Sequence, residues 1–409
     1  MKIFRPFVIT LPLILVAGMK LFGQISYIYP GSQLNTITTA VPFLIIAPDA
    51  RSGSLGEAGT STSPDINSQF WNPAKYPFIK KKTGASLSYS PWLRSIKSDI
   101  NLGYFSAYFK PDSNQCIAAS FKAISLGKIY ISNIAGNVSG VIKPFEFAGD
   151  VSYSRKLSDV FSMGLSLRYI YSDLGNNALV QTYKPGTSFA GDISLFYSRP
   201  VMMNGDDGQF NFGLNISNVG NKISYSKTST ARDFIPTRIM LGPSFTLPLS
   251  HRTSLSFIVE LSKLLVPTPP IYATDSTGTH IIAGKDPNVS VFQGMVQSFS
   301  DAPGGFREEM REIDVASGIE FTYKDMFAIR TGFFYEDSTK GNRKFFTFGI
   351  GFKYNVFAFD VSYLITLDQL KPHKPDEVFP LANTLRFTLS ADIDSFRRKR
   401  IVCPGMSGK

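Results

Sequence analysis

The stretch "FTFGIGFKYNVFAFDVSYLIT", residues 346–366, carries a large apolar side chain at every second position, twice over. Phe346, Phe348, Ile350, Phe352 and Tyr354 share one face, with Thr347, Gly349, Gly351 and Lys353 on the other. After Asn355 and Val356 the parity flips. Phe357, Phe359, Val361, Tyr363 and Ile365 then lie opposite Ala358, Asp360, Ser362 and Leu364. A period of two belongs to strands, and a flip across two residues belongs to a tight hairpin. A soluble sandwich and a membrane barrel both contain such pairs, so the choice rests on the remainder of the chain.

The same alternation recurs from "GASLSYS" at residue 84 to "TLRFTLSADI" ending at residue 393. About fourteen segments have the length of roughly ten residues that a tilted strand needs to cross a bilayer, an even number as bacterial single-chain barrels have. The links "KPDSN", "RKLSD", "PLSHR", "YKD" and "NV" are very short, and those around residues 91–98, 125–143, 173–186, 221–235, 262–312 and 367–382 are long. "RPVMMNGDDG", residues 199–208, reads as a moderately long member of the short class. Alternating short and long links put all short turns on one side, the asymmetry of periplasmic turns and extracellular loops. The expected fold is therefore all-β, a transmembrane antiparallel barrel.

The charges assign the faces. In "DMFAIRTGFFYE", Arg330 falls with Ala328 and Gly332, opposite Phe327, Ile329, Phe333 and Tyr335; in "IDVASGIEFTY", Glu320 falls opposite Ile319 and Phe321. An Arg or Lys facing lipid at the midplane costs about 2–4 kcal/mol, so the aromatic-rich face is the lipid face. A three-residue turn at 324–326 puts Glu320 directly across from Arg330, and a turn at Asn355 and Val356 puts Lys353 diagonal to Asp360. Both pairs are expected inside the lumen.

Ahead of the strands, the apolar run "FVITLPLILVAGM" at residues 7–19 follows Lys2 and Arg5 and precedes Gly23, the layout of a signal peptide over residues 1–23. No Cys follows that point to anchor a lipid. Residues 24–83 are rich in Pro, Gly, Ser and Asn and read as a plug. Phe70, Trp71, Asn72, Pro73, Ala74 and Tyr76 are expected inside the barrel, because open periplasm would leave the three aromatics exposed together. The barrel is expected over residues 84–394, and 395–409 form a basic tail. Cys116 and Cys403 are too few for a disulfide framework. The net charge of +11 owes much to "RRKR" at 397–400, which in an exported protein reads as a solvated tail, with no nucleic-acid partner.

The chain lacks a Gly-x-Ser-x-Gly elbow, a phosphate-cradling glycine loop, His-Glu-x-x-His and Cys-x-x-Cys. His251, His280 and His373 are scattered, so no metal or cofactor is expected, and no enzyme. Asp275, His280 and Asp286 share one long loop, as acidic and His residues do in barrel proteases, but read better as a solvated loop.

The plug region and its Asn72-Pro73-Ala74 box look like those of the FadL-type transporters of hydrophobic substrates. A wider resemblance runs across nearly the whole chain. It rests on "NTITTAVPFLIIAPDARSGSLGEAG", "SPDINSQFWNPAKY", "SYSPWLRS", "YSRKLSD", "RYIYSDLG", "NISNVG", "LLVPTPP" and "GKDPNVSVFQGMVQSFSDAPGGFREEM". These resemble the PorV family, also called LptO, the FadL-like outer-membrane barrels of the type IX secretion system of Bacteroidetes. The resemblance implies a non-catalytic barrel that binds the C-terminal signal domain of secreted cargo. It also implies work beside the Sov (SprA) translocon and delivery to the sortase PorU with PorQ and PorZ.

A channel for hydrophobic small molecules is the competing function. It calls for a contiguous apolar interior, whereas the inward sets read Gly, Ser, Thr, Ala, Lys, Asp, Glu and Arg. A generic porin comes third, weakened by the plug. The 262–312 link is far longer than the ~12–15 residues at which loops become functional or disordered. Within it Val291, Phe292, Met295, Val296 and Phe299 make one apolar helical face. That face packs on the barrel's own cap, or docks the translocon or cargo together with Pro91, Trp92 and Leu93 of "SPWLRS", Trp92 serving as an exposed hot spot.

Overall fold

The computed structural model describes residues 34–132, 137–175, 182–203, 206–273, 280–370 and 380–394. The leader, residues 24–33 of the plug segment, the tail with its "RRKR" cluster, Asp275, His373 and Cys403 lie outside the described residues. Its strands in chain order are Thr83–Pro91 (β1), Asn101–Phe109 (β2), Gln115–Ser125 (β3), Ile129–Ser132 (β4), Val138–Ile142 (β5), Phe145–Lys156 (β6), Phe161–Asp173 (β7), Gly186–Met203 (β8) and Asp206–Gly220 (β9). They continue as Arg238–Ser250 (β10), Thr253–Leu264 (β11), Ile271–Tyr272 (β12), Ile281–Ala283 (β13), Asp314–Tyr323 (β14), Phe327–Tyr335 (β15), Lys344–Tyr354 (β16), Phe357–Thr366 (β17) and Thr384–Asp392 (β18).

Fourteen of these close into one antiparallel barrel, with β1 paired to β18. The pairs β4–β5 and β12–β13 are small hairpins within long links. Closure leaves no strand edge, which the bilayer requires because nothing in hydrocarbon can bond a free N–H or C=O. No helix among the described residues is long and apolar enough to cross a membrane.

Short turns collect at one end. Asp112 caps the 110–114 turn, its carboxylate accepting from the N–H groups of Asn114 and Gln115 at 2.7 and 2.9 Å. Lys324 and Asp325 (φ 52° and 53°) turn β14 into β15, and Asn355 (φ 55°) turns β16 into β17. At the other end a seventh long link, residues 336–343, joins those the sequence pattern had marked. Residues 199–203 and 206–208 depart from expectation: they are ladder rather than loop, pairing Pro200 with Gln209 and running on to Met203 with Asp206. Past Tyr197 the other edge of β8 has no β7 partner, so Pro200 needs no N–H there and the hairpin extends beyond the wall.

Side chains alternate as the opening hairpin requires. Leu167, Phe189, Ile329, Phe348, Ile350 and Phe359 are exposed on the outside, while Ser106, Ser120, Ser152, Thr347 and Ser362 are buried on the inside. The inward volume is filled by the N-terminal segment. Asn35 starts at the long-loop end, its N–H bonded to the Thr339 carbonyl 3.1 Å away. The chain then descends the lumen through short helices at Pro42–Ile45, Ala50–Gly53, Ser68–Trp71 and Pro73–Phe78. It leaves at the short-turn end, where the Lys82 carbonyl accepts from Lys110 N–H at 2.8 Å.

Candidate functional site

The lumen holds a line of alternating charges that ties plug to wall. Arg51 of the plug bonds Asp65 at 2.8 Å and Glu320 at 2.9 Å; Arg330 bonds Glu320 at 2.5 Å and Asp360 at 2.6 Å. Glu320 and Arg330 lie directly across from each other in the ladder. Asp360 is two strands from Arg330, and the glycine at 351 between them lets the guanidinium pass, since a Cβ there would overlap both groups. Lys353 is a correction: it bonds Asp392 at 3.2 Å and is half exposed, rather than pairing with Asp360. It is the last inward position before the turn, level with the barrel's rim, and Arg330 has already taken the deeper carboxylate.

Further bolts come from both sides. Glu260 accepts from the N–H groups of Gly59 and Thr60 at 2.9 and 2.8 Å. Arg386 pairs with Glu57 and donates to the Ala47 carbonyl at 3.1 Å. Lys110 donates to the Pro77 carbonyl at 2.8 Å. On the far wall Arg168 joins Asp150 and Asp192 at 3.2 and 2.9 Å, and Asp150 also accepts from Gln69 of the plug at 2.6 Å. Each of these charged groups has at least one partner, as burial demands, though Glu260 Oε1 and one Arg386 Nη are left without a hydrogen bond.

The Asn-Pro-Ala box is part of the same fastening. Asn72 Oδ1 accepts from Ala74 N–H at 3.0 Å, starting the turn at Pro73, and its amide donates to the carbonyls of Thr60 and Leu195 at 3.1 and 2.9 Å. Trp71 Nε1 donates to Asp49 at 2.6 Å, and Tyr76 donates to the Ile66 carbonyl at 2.8 Å. Trp71, Asn72, Pro73, Ala74 and Tyr76 are all buried, with Phe70 edge-on to Trp71 at 4.9 Å. With the plug so seated, purified protein in planar bilayers should give at most small, infrequent currents; large steady single-channel steps would show the plug is not seated in the membrane.

Above the plug, at the long-loop end, an apolar vestibule of about 910 Å³ is lined by Val41, Phe43, Trp92, Leu126, Phe234 and Pro267, among others. Here the sequence reading of Trp92 is overturned. Trp92 is only 8% exposed, packed with Phe43, Ile100 and Leu102 and lying 5.7 Å from the Arg386 guanidinium. Pro91 ends β1, and Leu93 takes a left-handed conformation (φ 49°) that turns the chain back over the vestibule. Trp92 directly follows β1 and its N–H is bonded to the Ile100 carbonyl at 3.1 Å, which holds it at the wall beside the apolar vestibule.

The 262–312 link forms the lid of this vestibule. Helix Val291–Gln297 is capped by Ser290, whose hydroxyl accepts from Gln293 N–H. It seats Gly294 against Phe234 and Pro267, where an added Cβ would stand 3.0–3.1 Å from both. Phe292, Val296 and Phe299 are therefore turned outward, 77%, 61% and 57% exposed, with Val291 and Met295 half-buried. Of the five residues of the apolar face, Phe292, Val296 and Phe299 thus do not pack on the cap, while Val291 and Met295 do so in part. The link is held down by Lys263 and Lys340, which share Glu312 and reach Glu309 (3.1 Å) and Glu308 (2.6 Å) respectively. Burial pushes the Asp301 carboxyl up to about 6, partly offset by the Thr268 N–H and reinforced by Glu309 and Glu312. His280 and Asp286 stay in loops, and no group of His, Cys, Asp and Glu able to hold a metal occurs among the described residues.

The family model described as "Type IX secretion system protein PorV" matches residues 30–271. The chain belongs to the PorV family. It is thus an outer-membrane component of the type IX secretion system. Among solved structures it is similar to the Pseudomonas putida toluene transporter TodX, at 10% identity, covering 88% of this chain and 98% of that one with a TM-score of 0.47. It is similar also to the Ralstonia pickettii toluene transporter TbuX, at 11% identity, 84% and 96% coverage and a TM-score of 0.42. A Pseudomonas aeruginosa FadL homologue is similar at 12% identity, 84% and 98% coverage and a TM-score of 0.39. No curated protein matches.

Within this PorV-family barrel, sequence reasoning missed Arg51, Asp65, Glu260 and Arg386. A signal existed for Arg51, a lone cation among small residues in "APDARSGSLGEAG". Pairing it with Glu320 spans 269 positions and has no local trace.

Proposed function

We propose that this chain is a non-catalytic carrier of the secretion system. It binds the C-terminal signal domain of secreted cargo at the Sov (SprA) translocon and delivers it to the surface complex of PorU, PorQ and PorZ. The family supports the setting. The observation that carries the docking surface is the outward side of residues 291–299, where Phe292, Val296 and Phe299 stand in solvent on a helix fixed from beneath by Gly294. Apolar side chains held rigidly in water lose little entropy on binding, which suits a partner surface.

The triple variant Phe292→Ser, Val296→Ser, Phe299→Ser leaves the lysine–glutamate clamp intact, so the barrel should reach the outer membrane and keep its heat-modifiable migration. Copurification of cargo signal domain or translocon should fall at least tenfold, three buried anchors being worth about 1.5–3 kcal/mol each. Normal levels of both would remove this surface from the reading.

The vestibule favours a second reading, a channel for hydrophobic small molecules. Its outlet would have to pass the seated plug. Uptake of a labelled aromatic hydrocarbon by cells expressing the chain, lost on filling the vestibule with Leu126→Trp, would support that reading instead.

A further inference from the structure

The closing turn of the long link, residues 301–312, has its acids turned inward and its two large apolar side chains, Phe306 and Met310, outside. Glu309 and Glu312 are buried on Lys263, and Glu308 is held by Lys340 and by the Asn35 amide at 3.0 Å. Lys263 continues the outward-pointing series Phe257, Val259, Leu261 of β11 and is nonetheless buried. The segment therefore folds down over the outer rim of the wall, covering a position that would otherwise meet lipid headgroups. Left pointing away are Phe306 and Met310, 80% and 51% exposed and one helical turn apart, with exposed Arg307 and half-buried Arg311 between and beside them.

The neighbouring wall shows the same chemistry. Arg311 is within electrostatic reach of Tyr335, the outermost outward-facing residue of β15, and Lys344 Nζ stands 5.1 Å from the Tyr335 ring. Below these lie outward-facing Phe333 and Phe346, paired at 4.9 Å. Aromatic and cationic groups ringing the end of a lipid-facing wall mark the membrane–water interface.

We propose that residues 306–311 form an interfacial anchor for outer-leaflet lipid. Phe306 and Met310 enter the boundary between acyl chains and headgroups, and Arg307 and Arg311, flanked by Lys344, bind headgroup phosphates. Two features on this rim select lipid over a protein partner: the segment is continuous with the lipid-facing wall, and its outward side presents cations with its carboxylates turned inward. The surface is distinct from residues 291–299, so the anchor stands or falls independently of cargo docking.

The test uses full-length protein in nanodiscs of phosphatidylglycerol and phosphatidylcholine in equal parts, followed by mild detergent extraction and native mass spectrometry of the retained lipid. Wild type should retain phosphatidylglycerol selectively. Arg307→Ala with Arg311→Ala should reduce that retention roughly tenfold, since a basic group at a membrane surface adds measurably to anionic lipid binding, and Arg307→Lys with Arg311→Lys should restore most of it. A fluorophore on Phe306→Cys, in a Cys403→Ser background, should be quenched by brominated acyl chains; Cys116 is buried and stays unlabelled. Unselective retention by wild type, unchanged retention in the alanine variant, or an unquenched probe overturns the anchor. Unchanged retention combined with lost cargo or translocon copurification assigns the surface to a protein instead.

Discussion

Glu320→Ala should lower the stability of the folded barrel by about 3–5 kcal/mol, the usual cost of removing one member of a buried ionic network. The carboxylate lies between Arg51 of the plug and Arg330 of the next strand, with both guanidiniums within 3.1 Å. Without it the two cations face each other across the gap, with Asp65 and Asp360 as their remaining carboxylates and Ser63 as a neutral partner of Arg51. The shift is read as a lower urea midpoint in detergent at unchanged slope. Glu320→Gln, which keeps the acceptor and loses the charge, should fall between. A loss below about 1 kcal/mol would mean that lumenal water screens these groups as it does an exposed pair.

A larger change in behaviour is expected of Gly332→Val. Gly318, Gly332 and Gly349, on three successive strands, form a smooth trough for plug residues 54–56. A Cβ at 332 would overlap Gly56 N and the Leu55 carbonyl carbon, and one at 318 would stand 2.8 Å from Leu55 Cβ. Backbone atoms cannot rotate away, and Gly56 is itself held at φ +71° against the Phe333 and Ser317 carbonyls. The plug has to back out. Planar-bilayer recordings should then show long openings absent from wild type, and trypsin should reach Arg51. Silent bilayers together with a protected Arg51 would mean that the wall, rather than the plug, yields.

The fold was legible because its rule is local. Period-two alternation over residues 346–366 needs only neighbouring residues, and the turn at 355–356 sets the whole register of its hairpin. Glu320 opposite Arg330 could be counted from the turn for the same reason. Lys353 shows where counting stops: which carboxylate it meets depends on Gly351 admitting Arg330 from another strand. Trp92 shows the second limit, since hydrophobicity marks it equally for a pocket or a surface and only the vestibule beside it decides. Residues 199–208 show the third. Pro, Asn and Gly there look like a loop, and the missing β7 partner that makes Pro200 harmless is a fact of topology, not of composition.

The route of residues 35–82 constrains how the molecule comes to exist. This segment enters at the cell-surface end, runs the length of the lumen and emerges beside the turns, where β1 begins. β1 is also the strand that seals the cylinder against β18. A finished cylinder could not be threaded afterwards with a chain so heavily bonded to its wall. The segment must already lie in place when the seam forms, so it serves as the mandrel on which the sheet is bent.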